Sequence, residues 1–198
     1  MSAATNVAQK VKRLPKGRAF PLATFLDSGS ENAVRTALSR LVKEGDLVNL
    51  ARGVYARPKP NRFFGTSLPG PEDVAKAIAR STGEHLAPHG AEIARRLGIS
   101  TQAPTQAAFY TSGRTRRLKV GSTHVHFEHA PEQLVRHADS PAGRALLALH
   151  YLGRTRATTE VIRNLTKRVP TADLLNKEGT PIWLRDRIKE LDGDARAA

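Results

Sequence analysis

The sequence contains no cysteine. Disulfides, thiolate catalysis and zinc sites built on cysteine are therefore excluded, and a reducing compartment is compatible with the chain. Long apolar runs are missing too. The best, Ala145 to Leu152, contains His150 and falls far short of the roughly 20 residues of a membrane-spanning helix. The first residues lack the apolar core of a secretory signal. The expectation is a soluble cytoplasmic protein with no membrane attachment. Three patterns that carry nucleophiles or phosphates are absent: G-x-S-x-G, G-x-x-x-x-G-K-[ST] and G-x-G-x-x-G. There is no internal repeat and no low-complexity tract. Nothing gives a positive reason to expect an enzyme, and no cofactor is expected.

Acidic residues are scarce. Asp and Glu number 18 against 32 Lys and Arg, a formal net charge of +14. An anionic polymer is the default partner of such a chain, nucleic acid before a membrane surface. The excess is densest in front: residues 1–65 hold 12 basic and 4 acidic residues, the remainder 20 and 14. A chain of 198 residues suffices for one large or two small domains.

What the chain does contain is organised around residues 28–58, SGSENAVRTALSRLVKEGDLVNLARGVYARP. Val34, Leu38, Leu41 and Val42 fall at i, i+4, i+7 and i+8, one face of a helix. The opposite face collects Asn32, Arg35, Thr36, Ser39, Arg40 and Lys43, a stripe of donors and positive charge without a carboxylate. Ser30, or Ser28, can cap its start and Gly45 its end. Residues 46–50 alternate polar and apolar, Ala51-Arg52-Gly53 turns, and residues 54–57 alternate again before Pro58. A helix with a basic outer face followed by a short basic hairpin is the recognition helix and wing of a winged helix-turn-helix. Such a helix fits the DNA major groove while the hairpin lies along the neighbouring backbone. The competing reading is a structural helix and hairpin whose charges are merely solvated.

The preceding residues supply the other parts. Residues 1–6 are expected to fray. Val7 to Leu14 makes a helix ended by Pro15 and Gly17. Phe20 is extended, and Pro21 opens a short helix carrying Leu22, Phe25 and Leu26 inward. Lys16 and Arg18 stand where the chain enters that helix, placed either to meet phosphate or as plain surface charges. Residues 59–70, rich in proline and glycine, read as a linker, with Phe63 and Phe64 packed against a neighbouring domain.

A second unit starts at Pro71 with a helix to Ser81. A short strand at 85–88, a helix at 90–97 and strands at 107–111, 116–120 and 123–129 follow. Ser112-Gly113-Arg114 joins the first two long strands, and Gly121-Ser122 is a hairpin turn between the last two. Helices are expected at 132–137, 141–153, 158–168, 171–177 and 181–191. The fold class is α+β: a winged helix-turn-helix over 1–58, a linker over 59–70, and a mixed α/β domain with a helical end over 71–198.

One cluster resembles a metal site. His124, His126 and Glu128 share a face of a strand, and two histidines with a carboxylate can bind a divalent cation, as in a metal-dependent hydrolase. The alternative is a solvent-facing strand whose Val125 and Phe127 are core. No other motif here has ligand spacing, which favours that alternative, and no metal is expected. His85 and His89 read as isolated surface or loop residues. Tyr110, Arg114, Arg116, Arg117 and Lys119 form a second basic patch, open to three readings: more DNA-binding surface, a docking face for an acidic protein, or a charged strand edge.

Three segments together resemble a family: Gly17-Arg18-Ala19-Phe20, the block DSGSENAVRTALSRL from Asp27 to Leu41, and LARGVYARP from Leu50 to Pro58. They look like the winged helix of AbiEi-type antitoxins of type IV toxin–antitoxin and abortive-infection systems. The stretch PHGAEIARRLGIST from Pro88 to Thr101 and the strands after it are similar to the domain that accompanies this winged helix. The resemblance implies an autorepressor that binds inverted repeats of double-stranded DNA in its own promoter. It further implies a second part that counters a nucleotidyltransferase-like toxin. It offers no catalytic residues. The DNA-contact role passes to Asn32, Arg35, Thr36, Ser39 and Arg40 as groove residues. Lys43, Arg52 and Arg57 are the phosphate contacts, with Lys16 and Arg18 beside them. Monomers pairing on the DNA are one arrangement compatible with inverted repeats.

Overall fold

The computed structural model describes residues 2–63, 65–102, 104–120 and 123–197, with side chains described as far as residue 191. Helices and strands are mixed in an α+β chain. Contacts group it into two units, Met1–Glu84 with Arg117–Val125, and His85–Arg116 with His126–Ala198.

In the first unit, α1 (Ala3–Arg13) begins earlier than the expected frayed end allows. The reason is a cap: Ser2 Oγ accepts the Thr5 N–H at 3.2 Å. Strand β1 (Ala19–Pro21) leads into a 3-10 helix, Leu22–Ser28. Phe25 is fully buried there, but Leu26, expected inward, is 41% exposed. Three residues per turn place positions 22 and 25 on one face and turn 26 away. Helix α2 (Glu31–Lys43) is capped by Ser30, whose Oγ accepts the Ala33 N–H at 3.4 Å. Its Val34, Ala37, Leu38 and Leu41 are buried with Val7, Val11 and Phe25 in one core. The chain then turns at Gly45 (φ +82°), a conformation that favours glycine.

Strands β2 (Val48–Ala51) and β3 (Val54–Ala56) form the expected hairpin, with Gly53 at φ +73° in its turn. With β1 they make a three-stranded antiparallel sheet in the order β1-β3-β2. The Leu22 N–H donates to Gly53 O at 2.7 Å and fastens the hairpin turn to the 3-10 helix.

The expected linker is structured. Strands β4 (Lys59–Asn61) and β5 (Gly65–Ser67) pair antiparallel, and Pro60 is tolerated because a two-stranded ribbon consists only of edges. Phe63, expected to pack, is 84% exposed at the tip, where its N–H donates to Asn61 Oδ1 at 2.8 Å. Phe64 lies outside the described residues, as does the Gly121-Ser122 turn. Helix α3 (Pro71–Thr82), expected to open the second unit, packs on β1 and β3 of the first. Val74, Ala75, Ala77 and Ile78 are buried, and Gly83 at φ +70° closes it.

Arg57, expected at a phosphate, also makes bonds within its own unit. Its Nη1 donates to Lys12 O at 2.8 Å and Leu14 O at 2.7 Å, the carbonyls at the end of α1. A cation placed there meets the negative end of the helix dipole. Arg57→Ala is therefore expected to cost stability, about 1.5–3 kcal/mol for bonds made by a charged donor. Urea unfolding at two salt concentrations checks it. An unchanged midpoint beside a weakened DNA complex would restore Arg57 to the phosphate contacts.

The second unit opens with β6 (Leu86–Pro88) and α4 (Gly90–Arg96). Strands β7 (Ala107–Thr111), β8 (Arg116–Val120) and β9 (Thr123–His129) stand where the alternation put them. The sheet order is β6-β7-β9-β8, so the 112–115 segment joins strands that are not neighbours. Five helices follow: α5 (Glu132–Val135), α6 (Pro141–Arg156), α7 (Thr159–Thr166), α8 (Thr171–Leu175) and α9 (Ile182–Ala197). Gly153, at φ +68°, breaks α6 near its end. Leu146, Leu147 and Leu149 of α6 centre a core shared with Ile162, Leu165, Leu174 and Leu184. Helix α4 crosses α6 so closely that a Cβ on Gly90 would fall 2.5 Å from Tyr151 Cβ and 2.6 Å from Leu147 O. Arg95 and Arg96 hydrogen-bond Glu92 and lower its carboxyl pKa to about 2. None of the described helices is long and apolar enough to cross a membrane.

Candidate nucleic-acid interface

The outer face of α2 is set by its inner one. Burying Val34, Ala37, Leu38 and Leu41 leaves Asn32, Arg35, Thr36, Ser39, Arg40 and Lys43 exposed. The stripe is not free of carboxylates, as its spacing alone implied. Glu31 precedes it and takes Arg35 Nη2 at 2.6 Å and Nε at 2.8 Å. Glu44 follows it and meets Arg40 Nε at 3.3 Å. Both are i, i+4 pairs on an exposed helix surface, and such pairs are weak, about 0.3–0.5 kcal/mol. They hold the two arginines along the helix without preventing exchange to a stronger anion. Thr36 Oγ1 donates to Asn32 O at 2.9 Å, so its hydroxyl proton is committed to its own helix.

Other cations of the first unit have no such partner. Among the described residues no carboxylate comes within 4 Å of Lys16, Arg18, Lys43 or Arg52, and all four are exposed. Arg52 sits in the β2–β3 turn beside Gly53. Lys16 and Arg18 flank Gly17, whose N–H donates to Arg57 O at 2.9 Å and so ties that turn to the end of β3. Lys10 is spoken for, with both oxygens of Asp27 at 2.7 Å. The pair lowers the Asp27 pKa, chiefly through the lysine hydrogen bond.

Val125 and Phe127 are fully buried, so β9 turns one face inward. Among the described residues no three His, Asp or Glu side chains are grouped to hold a metal ion. Glu128 instead bonds His89, with Oε2 3.1 Å from Nε2. His89 is no loose surface residue: its side chain is 12% exposed. Its Nδ1 accepts the Ala91 N–H at 3.2 Å. Its ring lies 4.6 Å from that of Tyr110 and 5.5 Å from that of Tyr151. Burial first, then the Glu128 charge, raises the Tyr110 pKa and keeps its hydroxyl protonated. No local pattern in the sequence marks this cluster, because its members are far apart in the chain. The one local hint is His89 immediately before a helix, where a side-chain acceptor is wanted. His85, the other histidine read as isolated, stands 3.6 Å from Glu132.

An α+β chain with a basic first unit is thus the class that fold and charge define. Residues 6–179 match a family described as a family of unknown function, DUF6088, and the chain belongs to that family. It is also similar to the RV2827C protein from Mycobacterium tuberculosis, known from a crystal structure. The identity is 14% and the TM-score 0.49, over 96% of this chain and 75% of that one. Comparison with curated proteins gives no match.

Proposed function

We propose that the first unit is a winged helix-turn-helix that binds double-stranded DNA sequence-specifically, and that the protein is a transcriptional regulator. The observation that carries this reading is the exposed polar and basic face of α2 together with exposed cations of the same unit that no carboxylate pairs among the described residues, Lys16, Arg18, Lys43 and Arg52. The order helix, strand, short helix, helix, hairpin, with strand order β1-β3-β2, supports it. Asn32, Arg35, Ser39 and Arg40 read base edges in the major groove; arginine suits guanine and asparagine suits adenine. Lys43, Arg52, Lys16 and Arg18 hold phosphates. The resemblance to AbiEi-type antitoxins supports a more specific form of the proposal. In it the protein represses its own promoter at inverted repeats, and the second unit counters a nucleotidyltransferase-like toxin.

The test is an anisotropy titration on the gene's own upstream region, with scrambled duplex as competitor, at 50 and 200 mM salt. The expected result is selective binding that weakens with salt, the slope following the number of phosphates held. Equal binding to both duplexes would reduce the protein to a generally basic one. In that event neutralisation of a toxin by direct contact becomes the leading reading, and the exposed Phe63 favours it.

A further inference from the structure

The second unit contains a recess that DNA binding does not use. It has a volume of about 510 Å³, and its polar wall includes His89, Gln102, Gln106, His126, Glu128 and Tyr151 with Thr105 beside them. Ala91, Pro104 and Ala108 supply apolar surface. Volumes of roughly 300–1,000 Å³ are usual for small-molecule sites. Among the described residues that line it, none is lysine or arginine, so the recess is not built for phosphate.

Its hydrogen-bonding pattern is fixed from behind. His89 Nδ1 accepts the Ala91 N–H, which puts the ring proton on Nε2, and Nε2–H donates to Glu128 Oε2. Among the described residues Glu128 Oε1 accepts nothing, and the side chain is still 44% exposed. Tyr151 Oη donates to Gln102 Oε1 at 2.8 Å. That bond occupies the amide oxygen and leaves both protons of the Gln102 NH₂ to be offered. Within the recess Gln102 and Glu128 therefore present one amide donor and a carboxylate that accepts at both oxygens, beside the polar side chains of Thr105, Gln106 and His126.

We propose that this recess binds a guanine base. The Watson–Crick edge of guanine offers an acceptor (O6) and two adjacent donors (N1–H and N2–H₂), the complement of one donor and two acceptors. Adenine and cytosine can satisfy only two of the three positions, and uracil sets an acceptor against the carboxylate. Unpaired bases are commonly read on this edge. The base arrives either in a free nucleoside or nucleotide or as an unpaired guanine of a nucleic-acid strand. The chemistry is the same, and the proposal stands apart from the DNA reading of the first unit.

Calorimetric titration of the full chain with neutral nucleosides tests it without interference from the basic surface. Guanosine is expected to bind at least tenfold tighter than adenosine, with inosine, which lacks the 2-amino group, in between. A parallel titration uses two short single strands that differ only in one guanine replaced by adenine. A guanine preference in the nucleosides assigns a free ligand; a preference in the strands alone assigns an unpaired base. Glu128→Gln and Gln102→Leu are each expected to lose at least tenfold. Gln102→Leu leaves the His89–Glu128 bond intact, so a folding defect in Glu128→Gln does not spoil the test. No guanine preference in either titration, or unchanged binding in the folded variants, overturns the proposal.

Discussion

Arg35→Ala is expected to weaken binding to the specific operator about 5- to 150-fold, roughly 1–3 kcal/mol, while binding to random duplex barely changes. Lys43→Ala is expected to weaken both alike and to lower the salt slope by about one. The contrast follows from position. Arg35 lies within the α2 stripe, next to Asn32 and Ser39, whereas Lys43 is the last residue of α2 and meets no carboxylate among the described residues. Glu31 adds a third variant. It holds Arg35 in the unbound protein, so Glu31→Gln removes a competitor of the DNA and tightens specific binding, about twofold for a pair of about 0.3–0.5 kcal/mol. Anisotropy on operator and scrambled DNA reads all three. If Arg35→Ala and Lys43→Ala changed the two DNAs in the same ratio, the division between base readers and phosphate holders would be wrong.

Phe25→Ala is expected to destabilise the first unit by about 3–5 kcal/mol. The side chain is fully buried in a core that also holds Val7, Val11, Val34 and Leu38. Its removal leaves a cavity between α1, α2 and the 3-10 helix that three separate elements must collapse to fill. Total domain stabilities are about 5–15 kcal/mol, so much of this unit's margin is at stake. Leu26→Ala, one residue on and 41% exposed, is expected to stay within about 0.5 kcal/mol. Urea unfolding of the two variants decides the matter. Equal losses would mean that the 3-10 register does not set which side chain is buried.

Local signals in the sequence were well translated into structure. The 3.6-residue spacing of Val34, Leu38 and Leu41 with Ser30 ahead of it became α2, and alternation became β7, β8 and β9. What has no local signal is what depends on distant partners. Arg57 finds carbonyls 43 and 45 residues back, and His89 finds Glu128 39 residues on. Neither has a local pattern. The β4–β5 ribbon was hidden by its own proline, which marks a loop in isolation but is harmless on an edge. The pairing of the α2 arginines is hidden for a simpler reason. The acids that pair with them sit one turn away at each end of the stripe, outside the face itself.

The grouping of Arg117–Val125 with Met1–Glu84 has a consequence for synthesis on the ribosome. The first unit is not contiguous, so the last of its parts emerges roughly forty residues after α3, a delay of about 2–8 s at roughly 5–20 residues per second. Throughout that interval the most basic stretch of the chain is exposed and its unit is unfinished. A nascent chain arrested between residues 84 and 117 would carry α2 and the β2–β3 hairpin without the segment that completes their unit. Arrested chains of graded length, probed by protease, would show protection of the first unit arriving only after Val125 has cleared the exit tunnel.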